Sequence, residues 1–254
     1  MSFPRLEIPG QPRILNPVDG ISLVIPFYNE EQVLRTTAEA VWVFLGELRR
    51  PFELLLGDDG STDGSYRIAQ EFQKRHPDYC RLVRNPQNRG RGSILSQAFS
   101  RAQMPIVAYI DADLEIGLDH LRALIRTFDD PATMVCTGSK LLQTDAASRS
   151  YRRKFATLTL NFLIHTFLHS PLTDHQCGLK GFRKNFLSTL LLKTQETGWA
   201  FDTEILLLAQ KEGARVREIP VTLQASRPSK VSFLATVFHF FQKIAEFRFR
   251  GLVL

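Results

Sequence analysis

Cysteine is scarce in this sequence, and its spacing excludes a common class of metal site. The three cysteines, Cys80, Cys136 and Cys177, lie far apart and form no C-x-x-C pair. Structural zinc sites need clustered cysteines of that kind, so the sequence argues against zinc. Scattered, unpaired cysteines are instead typical of proteins in a reducing compartment.

Long hydrophobic runs are also missing. No stretch reaches the roughly 20 consecutive apolar residues that a membrane-spanning helix needs. The N-terminal residues contain no basic segment followed by an apolar run, so we expect no signal peptide. The remaining composition is that of a globular protein, with 44% hydrophobic and 23% charged residues and a net charge of +6. That charge favours an anionic partner, which could be nucleic acid, a membrane surface or a phosphorylated substrate.

One stretch combines a buried strand with a set of acids. Residues 106–110 are apolar, and Asp111, Asp113 and Glu115 follow at alternate positions. On an extended chain such side chains point the same way, so the three carboxylates could converge just beyond the strand. Hard oxygen ligands of this kind suit Mg²⁺ or Mn²⁺. For an isolated D-x-D pattern, an ordinary solvated acidic turn is an equally common explanation.

The rest of the chain favours an α/β fold. Apolar strand patterns alternate with helical ones, which predicts a mostly parallel sheet with helices on both faces. The carboxyl ends of such strands form the usual ligand-binding edge. Acidic or polar residues follow three of the strands, which indicates a nucleotide site with a metal on its phosphates. The predicted strands are 21–27, 52–58, 81–83, 106–110 and 134–139, with later strands at 179–183 and 215–221.

Several turns have specific structural expectations. Asn29 is a suitable N-cap for a helix running to about Leu48, and Asp202 is a suitable cap for the helix 205–212. In the glycine-flanked basic turn 88–92, backbone N–H groups could approach a phosphate, although an ordinary turn is equally common.

The second half of the chain contains two apolar helical patterns beside basic residues. A basic run at 149–154 precedes the first pattern, 155–169, which could lie on a membrane or simply dock in the core. The second pattern places six apolar residues on one face of a C-terminal amphipathic helix, which could lie on a bilayer. These six are Phe233, Val237, Phe240, Phe241, Ile244 and Phe247.

With these motifs in view, the chain resembles the family 2 glycosyltransferases of GT-A (Rossmann-like) fold. Among them it is most similar to the polyprenyl-phosphate sugar synthases, and especially to those of the dolichyl-phosphate glucose type. The broad family is indicated by the motifs at 24–30, 58–61, 88–92 and 111–113. The lipid-phosphate branch is indicated by Asp174-His175-Gln176-Cys177-Gly178-Leu179-Lys180 and by Gly198-Trp199-Ala200-Phe201-Asp202-Thr203-Glu204.

The resemblance implies roles for individual residues. The nucleotide sugar would be bound by Pro26, Tyr28, Glu30, Asp58, Asp59, Arg91 and Asp111. Asp111, Asp113 and Glu115 would hold Mg²⁺ or Mn²⁺, and Asp174 would be the catalytic carboxylate. The acceptor phosphate would meet Lys140, Arg152, Arg153, Arg227 and Lys230. The chain would then divide into an irregular arm 1–19, a nucleotide-sugar-binding half 20–139, an acceptor-binding half 140–230 and an interfacial helix 231–254.

The implied reaction is transfer of a hexose to a polyprenyl or dolichyl phosphate with inversion. UDP-glucose is the favoured donor and GDP-mannose a possible one, and no nucleic acid is involved. The protein would work on the cytoplasmic face of a membrane, as a peripheral or monotopic protein. Alternatives are transfer to a hydroxyl acceptor, where Asp174 would be the required base, and an inactive nucleotide-sugar-binding protein docked on a membrane. A dehalogenase-like phosphatase is disfavoured because its D-x-D motif normally lies near the N-terminus.

Overall fold

The computed structural model describes residues 20–143, 151–224 and 233–254. Side-chain surroundings are described for the same ranges except 151–157 and 233–239. The predicted arm 1–19 and two of the acceptor-phosphate candidates, Arg227 and Lys230, therefore lie outside the described residues. Arg152 and Arg153 belong to a described helix, but their side chains also lie outside the description.

The described chain contains a single seven-stranded sheet, in the order β3-β2-β1-β4-β6-β5-β7. Neighbouring strands are parallel except for β6, which runs antiparallel to both β4 and β5. This confirms the predicted mostly parallel sheet. The strands are β1 (Ile21–Phe27), β2 (Phe52–Asp58), β3 (Cys80–Arg84), β4 (Ile106–Ile110), β5 (Val135–Ser139), β6 (Leu179–Arg183) and β7 (Val216–Pro220).

Helices cover both faces of the sheet, because alternate strand residues are apolar on both sides. Leu23 and Ile25 of β1 face one apolar cluster, and Val24 faces the other. The first cluster includes residues of α1, α2 and α4, and the second includes residues of α3, α5, α6, α7 and α8. The helices are α1 (Leu34–Glu47), α2 (Ser65–Arg75), α3 (Arg91–Arg101), α4 (Leu118–Thr127), α5 (Tyr151–Leu168), α6 (Lys184–Leu191), α7 (Phe201–Lys211) and α8 (Phe233–Phe249).

Asn29 does not cap a helix, contrary to the sequence-based expectation. Helix α1 begins at Leu34, and Asn29 has a φ of 55°, in the left-handed region that asparagine tolerates. Its side-chain oxygen accepts a hydrogen bond from the N–H of Thr62 at 2.8 Å. This hydrogen bond therefore ties the end of β1 to the turn after β2 instead of capping α1.

Three residues of the predicted apolar face of the C-terminal helix are buried against the protein, whereas Phe241 is 52% exposed. Phe240, Ile244 and Phe247 of α8 are buried in the second apolar cluster and pack on the side of α5. Arg248 donates a hydrogen bond to the carbonyl of Phe167 at 2.9 Å. The expectation that this face lies on a bilayer is therefore wrong for these three residues. Burial of each such side chain in the protein is worth about 1.5–3 kcal/mol relative to exposure to water.

Within the described ranges, no helix combines the length and the hydrophobicity that crossing a bilayer requires. All three cysteines are buried and free.

Candidate active site

The carboxyl ends of β1, β2 and β4 meet at one edge of the sheet, as the strand pattern predicted. Phe27, the last residue of β1, pairs with Asp58, the last residue of β2. The N–H of Asp59 donates to the carbonyl of Phe27 at 2.9 Å. Parallel neighbours of similar length bring their polar ends together, which places the predicted donor-binding residues on a common edge.

The acids after β4 do not alternate along an extended chain. The strand ends at Ile110, and the N–H of Leu114 bonds back to the carbonyl of Asp111 at 3.1 Å. Asp113 accepts a hydrogen bond from the N–H of Glu115 at 3.1 Å, and Leu114 has a φ of 49°. The prediction that these three acids lie on an extended chain is therefore wrong, because the chain turns directly after Asp111.

Asp111 and Asp113 nevertheless form an electrostatic pair suited to a divalent cation. Partial burial raises the pKa of Asp111, and the Asp113 carboxylate raises it further against the lowering effect of Arg91. Two repelling carboxylates are the setting in which a divalent cation is favourable. No group of three metal-binding side chains is assembled among the described residues. A role for Glu115 as a third ligand stays a prediction.

The Arg91 guanidinium lies between two carboxylates, those of Asp111 and Asp202, and pairs with both. One guanidinium nitrogen is 2.5 Å from Asp111 Oδ1, and the other contacts Asp202 Oδ2. The Arg91 side chain is only 12% exposed. Its guanidinium carbon is 5.1 Å from the Tyr109 ring centre and 5.6 Å from that of Trp199, within the range of cation–π attraction.

Asp202 is a buried partner of three groups rather than a helix cap. Helix α7 begins at Phe201, two residues earlier than an N-cap role for Asp202 would require, and its N-cap position is Ala200. Asp202 accepts hydrogen bonds from Arg91 and the Tyr109 hydroxyl, and its Oδ1 is 3.1 Å from the ammonium of Lys180. Burial alone would raise the pKa of Asp202, but Arg91 and Lys180 hold it below its usual value. The sequence carried no signal for this pairing.

The basic turn at 88–92 is not a phosphate cradle. The N–H groups of Arg89 and Gly90 donate to the carboxylate of Asp59 at 3.0 and 2.9 Å. The N–H of Gly92 donates to the carbonyl of Gly198. These donors are satisfied within the protein, so the ordinary-turn explanation is the correct one for them. Asp59, expected at the donor, directs both its oxygens into this turn.

The remaining donor-binding candidates lie around the ends of β1 and β2. Pro26 is buried in β1, opposite Gly57, and Tyr28 at the strand end is exposed. The N–H of Glu30 donates to Ser65 Oγ at 2.8 Å. Asp58 is fully buried and pairs with Arg84, whose Nε is 3.0 Å from its Oδ2.

Asp174 lies in a loop that reaches the donor edge. The carboxylate is fully buried, and it accepts hydrogen bonds from the N–H of Lys140 at 3.1 Å and that of Gln176 at 3.0 Å. The ammonium of Lys140 is 3.5 Å from Asp174 Oδ2. The same loop ends at Gly178, whose carbonyl accepts the N–H of Asp111 at 3.1 Å. The structure therefore anchors the loop that carries Asp174 to the backbone of Asp111 through Gly178.

His175 fastens this loop to α5 and was not singled out from the sequence. Its Nδ1 lies 3.2 Å from Asn161 Oδ1, and its Nε2 lies 2.9 Å from Ser170 Oγ. An amide oxygen only accepts hydrogen bonds, so Nδ1 carries the proton, and Nε2 faces the Ser170 hydroxyl, which also lies 2.8 Å from Gln210 Oε1. Burial lowers the pKa of His175 to about 3, so the ring stays neutral. Its pairing with Asn161, 14 positions away, had no recognisable sequence signal.

Known proteins of similar sequence agree with the family resemblance of the motifs. The family model for glycosyl transferase family 2 matches residues 22–191. Glycosyltransferase AglD of Haloferax volcanii is 32% identical over 221 residues, which cover 85% of this chain and 35% of AglD. The chain thus spans about a third of the length of AglD. The dolichyl-phosphate beta-glucosyltransferase of Dictyostelium discoideum is 28% identical over 255 residues, covering 94% of this chain and 77% of that protein.

Two solved structures share the fold at low sequence identity. Mannosyl-3-phosphoglycerate synthase from Rubrobacter xylanophilus superposes with a TM-score of 0.68 at 16% identity, over 92% of this chain and 76% of that chain. Glucosyl-3-phosphoglycerate synthase from Mycobacterium tuberculosis, solved with Mn²⁺, UDP and glucosyl-3-phosphoglycerate, has a TM-score of 0.61 at 16% identity. That match covers 89% of this chain and 77% of the synthase chain.

Proposed function

Because the chain belongs to glycosyl transferase family 2 and has the GT-A fold, we propose that it transfers glucose from UDP-glucose to a polyprenyl phosphate at a membrane surface. The hexosyltransferase class follows from the family and its named relatives. The sugar, the nucleotide and the lipid phosphate are our proposal. They are supported by the dolichyl-phosphate beta-glucosyltransferases among its relatives and by the UDP held in a structure of the same fold.

The observation that carries the proposal is the contact between the Asp174 loop and the donor edge. Gly178 lies so close to Asp111 that an added Cβ would be 1.8 Å from Asp111 Oδ2. At the other end of that loop, Asp174 forms an ion pair with Lys140, the residue that follows β5. A phosphate bound near Lys140 would thus be close to a nucleotide sugar bound near Asp111. Such proximity is what transfer between two anions requires.

The chemistry of a phosphate acceptor explains why Asp174 is buried. A phosphomonoester has a second pKa near 6, so it is mostly dianionic at pH 7 and needs no general base. Both Asp174 oxygens accept hydrogen bonds from protein N–H groups, and the carboxylate is out of contact with solvent. We assign it an orienting role, holding Lys140 where the acceptor phosphate arrives. A hydroxyl acceptor would need an accessible base, which this geometry does not favour.

Asp111 and Asp113 would hold a divalent cation, Mg²⁺ or Mn²⁺, with Glu115 as the further candidate. When bound, such a cation supplies Lewis-acid stabilisation of the leaving nucleoside diphosphate. The turn that carries these acids is fixed by Thr37, whose hydroxyl donates to the carbonyl of Ala112 at 2.6 Å.

For the membrane, we propose the outer surface of α5 and α8 as the contact. Phe162 is 66% exposed and Phe249 is 94% exposed, which is unusual for such large apolar side chains. Leu158, Phe167 and Phe241 add further exposed apolar area on the same helix pair. The basic run 149–154 overlaps the first turn of α5. Each basic residue near an anionic leaflet adds about 1 kcal/mol of attraction, so this surface suits reversible docking from the cytoplasmic face.

Transfer of radiolabel into an organic-extractable product tests the proposal. The protein is mixed with vesicles containing polyprenyl phosphate and either UDP-[¹⁴C]glucose or GDP-[¹⁴C]mannose, with Mg²⁺ or with excess chelator. We expect label in the lipid phase only with UDP-glucose and metal. Lys140→Ala should lose acceptor transfer while the matched control Glu71→Gln, in an exposed ion pair of α2, should keep it. Transfer in excess chelator, or preference for GDP-mannose, would contradict the metal or the donor assignment respectively.

A further inference from the structure

A buried group of charges lies directly behind Asp111 and belongs to four different elements. We call it the Arg91 cluster. It joins the donor half of the chain to the acceptor half, since α3 and β4 come from the first and β6 and α7 from the second. Its members are Arg91, Tyr109, Asp111, Lys180 and Asp202.

The contacts in the Arg91 cluster form a chain that ends on one oxygen of Asp111. Lys180 is fully buried, and its ammonium donates to the carbonyl of Cys177 at 2.7 Å and contacts Asp202 at 3.1 Å. Asp202 in turn holds one guanidinium nitrogen of Arg91. The other guanidinium nitrogen holds Asp111 Oδ1 at 2.5 Å. A planar guanidinium can bridge two carboxylates in this fixed geometry, which an ammonium cannot.

The charges of the cluster balance, with two cations against two carboxylates. Charged groups are seldom buried unless they are paired, because each loses its hydration. Asp202 thus has a clear purpose inside the fold, which is to hold Arg91 and Lys180. Asp111 is the one member of the cluster that reaches the ligand-binding edge, and its second oxygen, Oδ2, faces Gly178.

We propose that Arg91 and Asp202 are positioning residues that act on the donor through Asp111. Asp202 fixes the guanidinium and the guanidinium holds Asp111 Oδ1, so the orientation of the Asp111 carboxylate at the donor edge depends on both. This inference rests on the proposed function and changes one part of it. Arg91, expected to bind the nucleoside, instead acts from behind the carboxylate that meets the donor.

The test compares UDP binding in chelator with UDP binding in Mn²⁺, measured by titration calorimetry on the full chain. A positioning role affects the gain in affinity that Mn²⁺ provides, whereas a merely structural role weakens both measurements together. For Asp202→Asn we expect the Mn²⁺-dependent gain to fall by on the order of 10- to 100-fold, the usual cost of losing an outer-shell partner. Arg91→Lys keeps the charge without the fork, so part of the gain should return relative to Arg91→Gln.

Two further measurements decide the remaining outcomes. Glu71→Gln breaks an exposed ion pair with Arg35 and should leave the Mn²⁺-dependent gain unchanged. If thermal unfolding shows that Asp202→Asn does not fold, Arg91→Gln decides, because it leaves Asp202 paired with Lys180. An unchanged gain in folded Arg91→Gln overturns the inference, as does a loss of equal size in chelator and in Mn²⁺. A wild-type protein that binds no UDP under either condition overturns the proposed donor instead, and the inference with it.

Discussion

The buried imidazole of His175 makes a sharp prediction about stability and pH. The folded protein holds this ring neutral, because burial lowers its pKa to about 3. In the unfolded chain the same ring has an ordinary pKa of about 6.5. Below pH 6.5 the unfolded state therefore binds a proton that the folded state does not. The stabilising contribution is complete above pH 6.5 and is lost as the pH falls towards 3.

The size of this effect follows from proton linkage. With those two pKa values, lowering the pH from 7.5 to 5.5 should cost the folded state about 1.4 kcal/mol from this residue alone. The figure does not depend on the depressed pKa itself, provided that it lies well below pH 5. The cause is the burial of the ring, which lies between Asn161 and Ser170.

Urea denaturation of wild type and His175→Gln at both pH values measures the effect. Other titrating groups, including His76 and His120 with their lowered pKa values, are shared by both proteins and cancel in the difference. We expect the free energy of unfolding of the variant to be less sensitive to pH by about 1.4 kcal/mol. As a control, His120→Gln should remove less of the dependence, because that ring is less buried. An identical pH dependence in wild type and His175→Gln would refute the reasoning.

Three other outcomes are expected. Phe247→Ala should lower the free energy of unfolding by about 3–5 kcal/mol in urea titrations, because this side chain of α8 is fully buried; a loss below 1 kcal/mol would mean that the helix is not docked. Glu218→Gln should raise the KM for the lipid acceptor more than that for the nucleotide sugar, since Glu218 accepts hydrogen bonds from Thr173 beside the Asp174 loop; equal effects on both would count against it. Asp113→Asn should weaken Mn²⁺ binding in calorimetry without changing the melting temperature, and unchanged binding would remove Asp113 from the metal site.

The sequence by itself determined the local parts of this protein. Short apolar runs located the central strands, because a strand buried on both faces is apolar throughout. The position of Asp111 at the end of β4 identified the functional edge, since ligand sites in parallel sheets follow strand ends. The motif around Asp174 pointed to the family, and the structure places that motif against the same edge. All of these signals involve residues that are close together in the chain.

Only the tertiary structure decided which groups meet. The apolar stripe of α8 does not show what covers it, and only the structure places Phe240, Ile244 and Phe247 against the protein, on the side of α5. Aspartate is a residue type that often caps helices, but the carboxylate of Asp202 instead pairs with Arg91, 111 positions away. A charge-assisted hydrogen bond in a buried site is stronger than one to a neutral backbone N–H. The turn after Asp111 likewise depends on hydrogen bonds that the alternate spacing of the three acids does not predict. The pattern of apolar residues in the sequence predicts secondary structure and burial. Which side chains contact one another depends on distances across the fold, and spacing along the chain does not predict these distances.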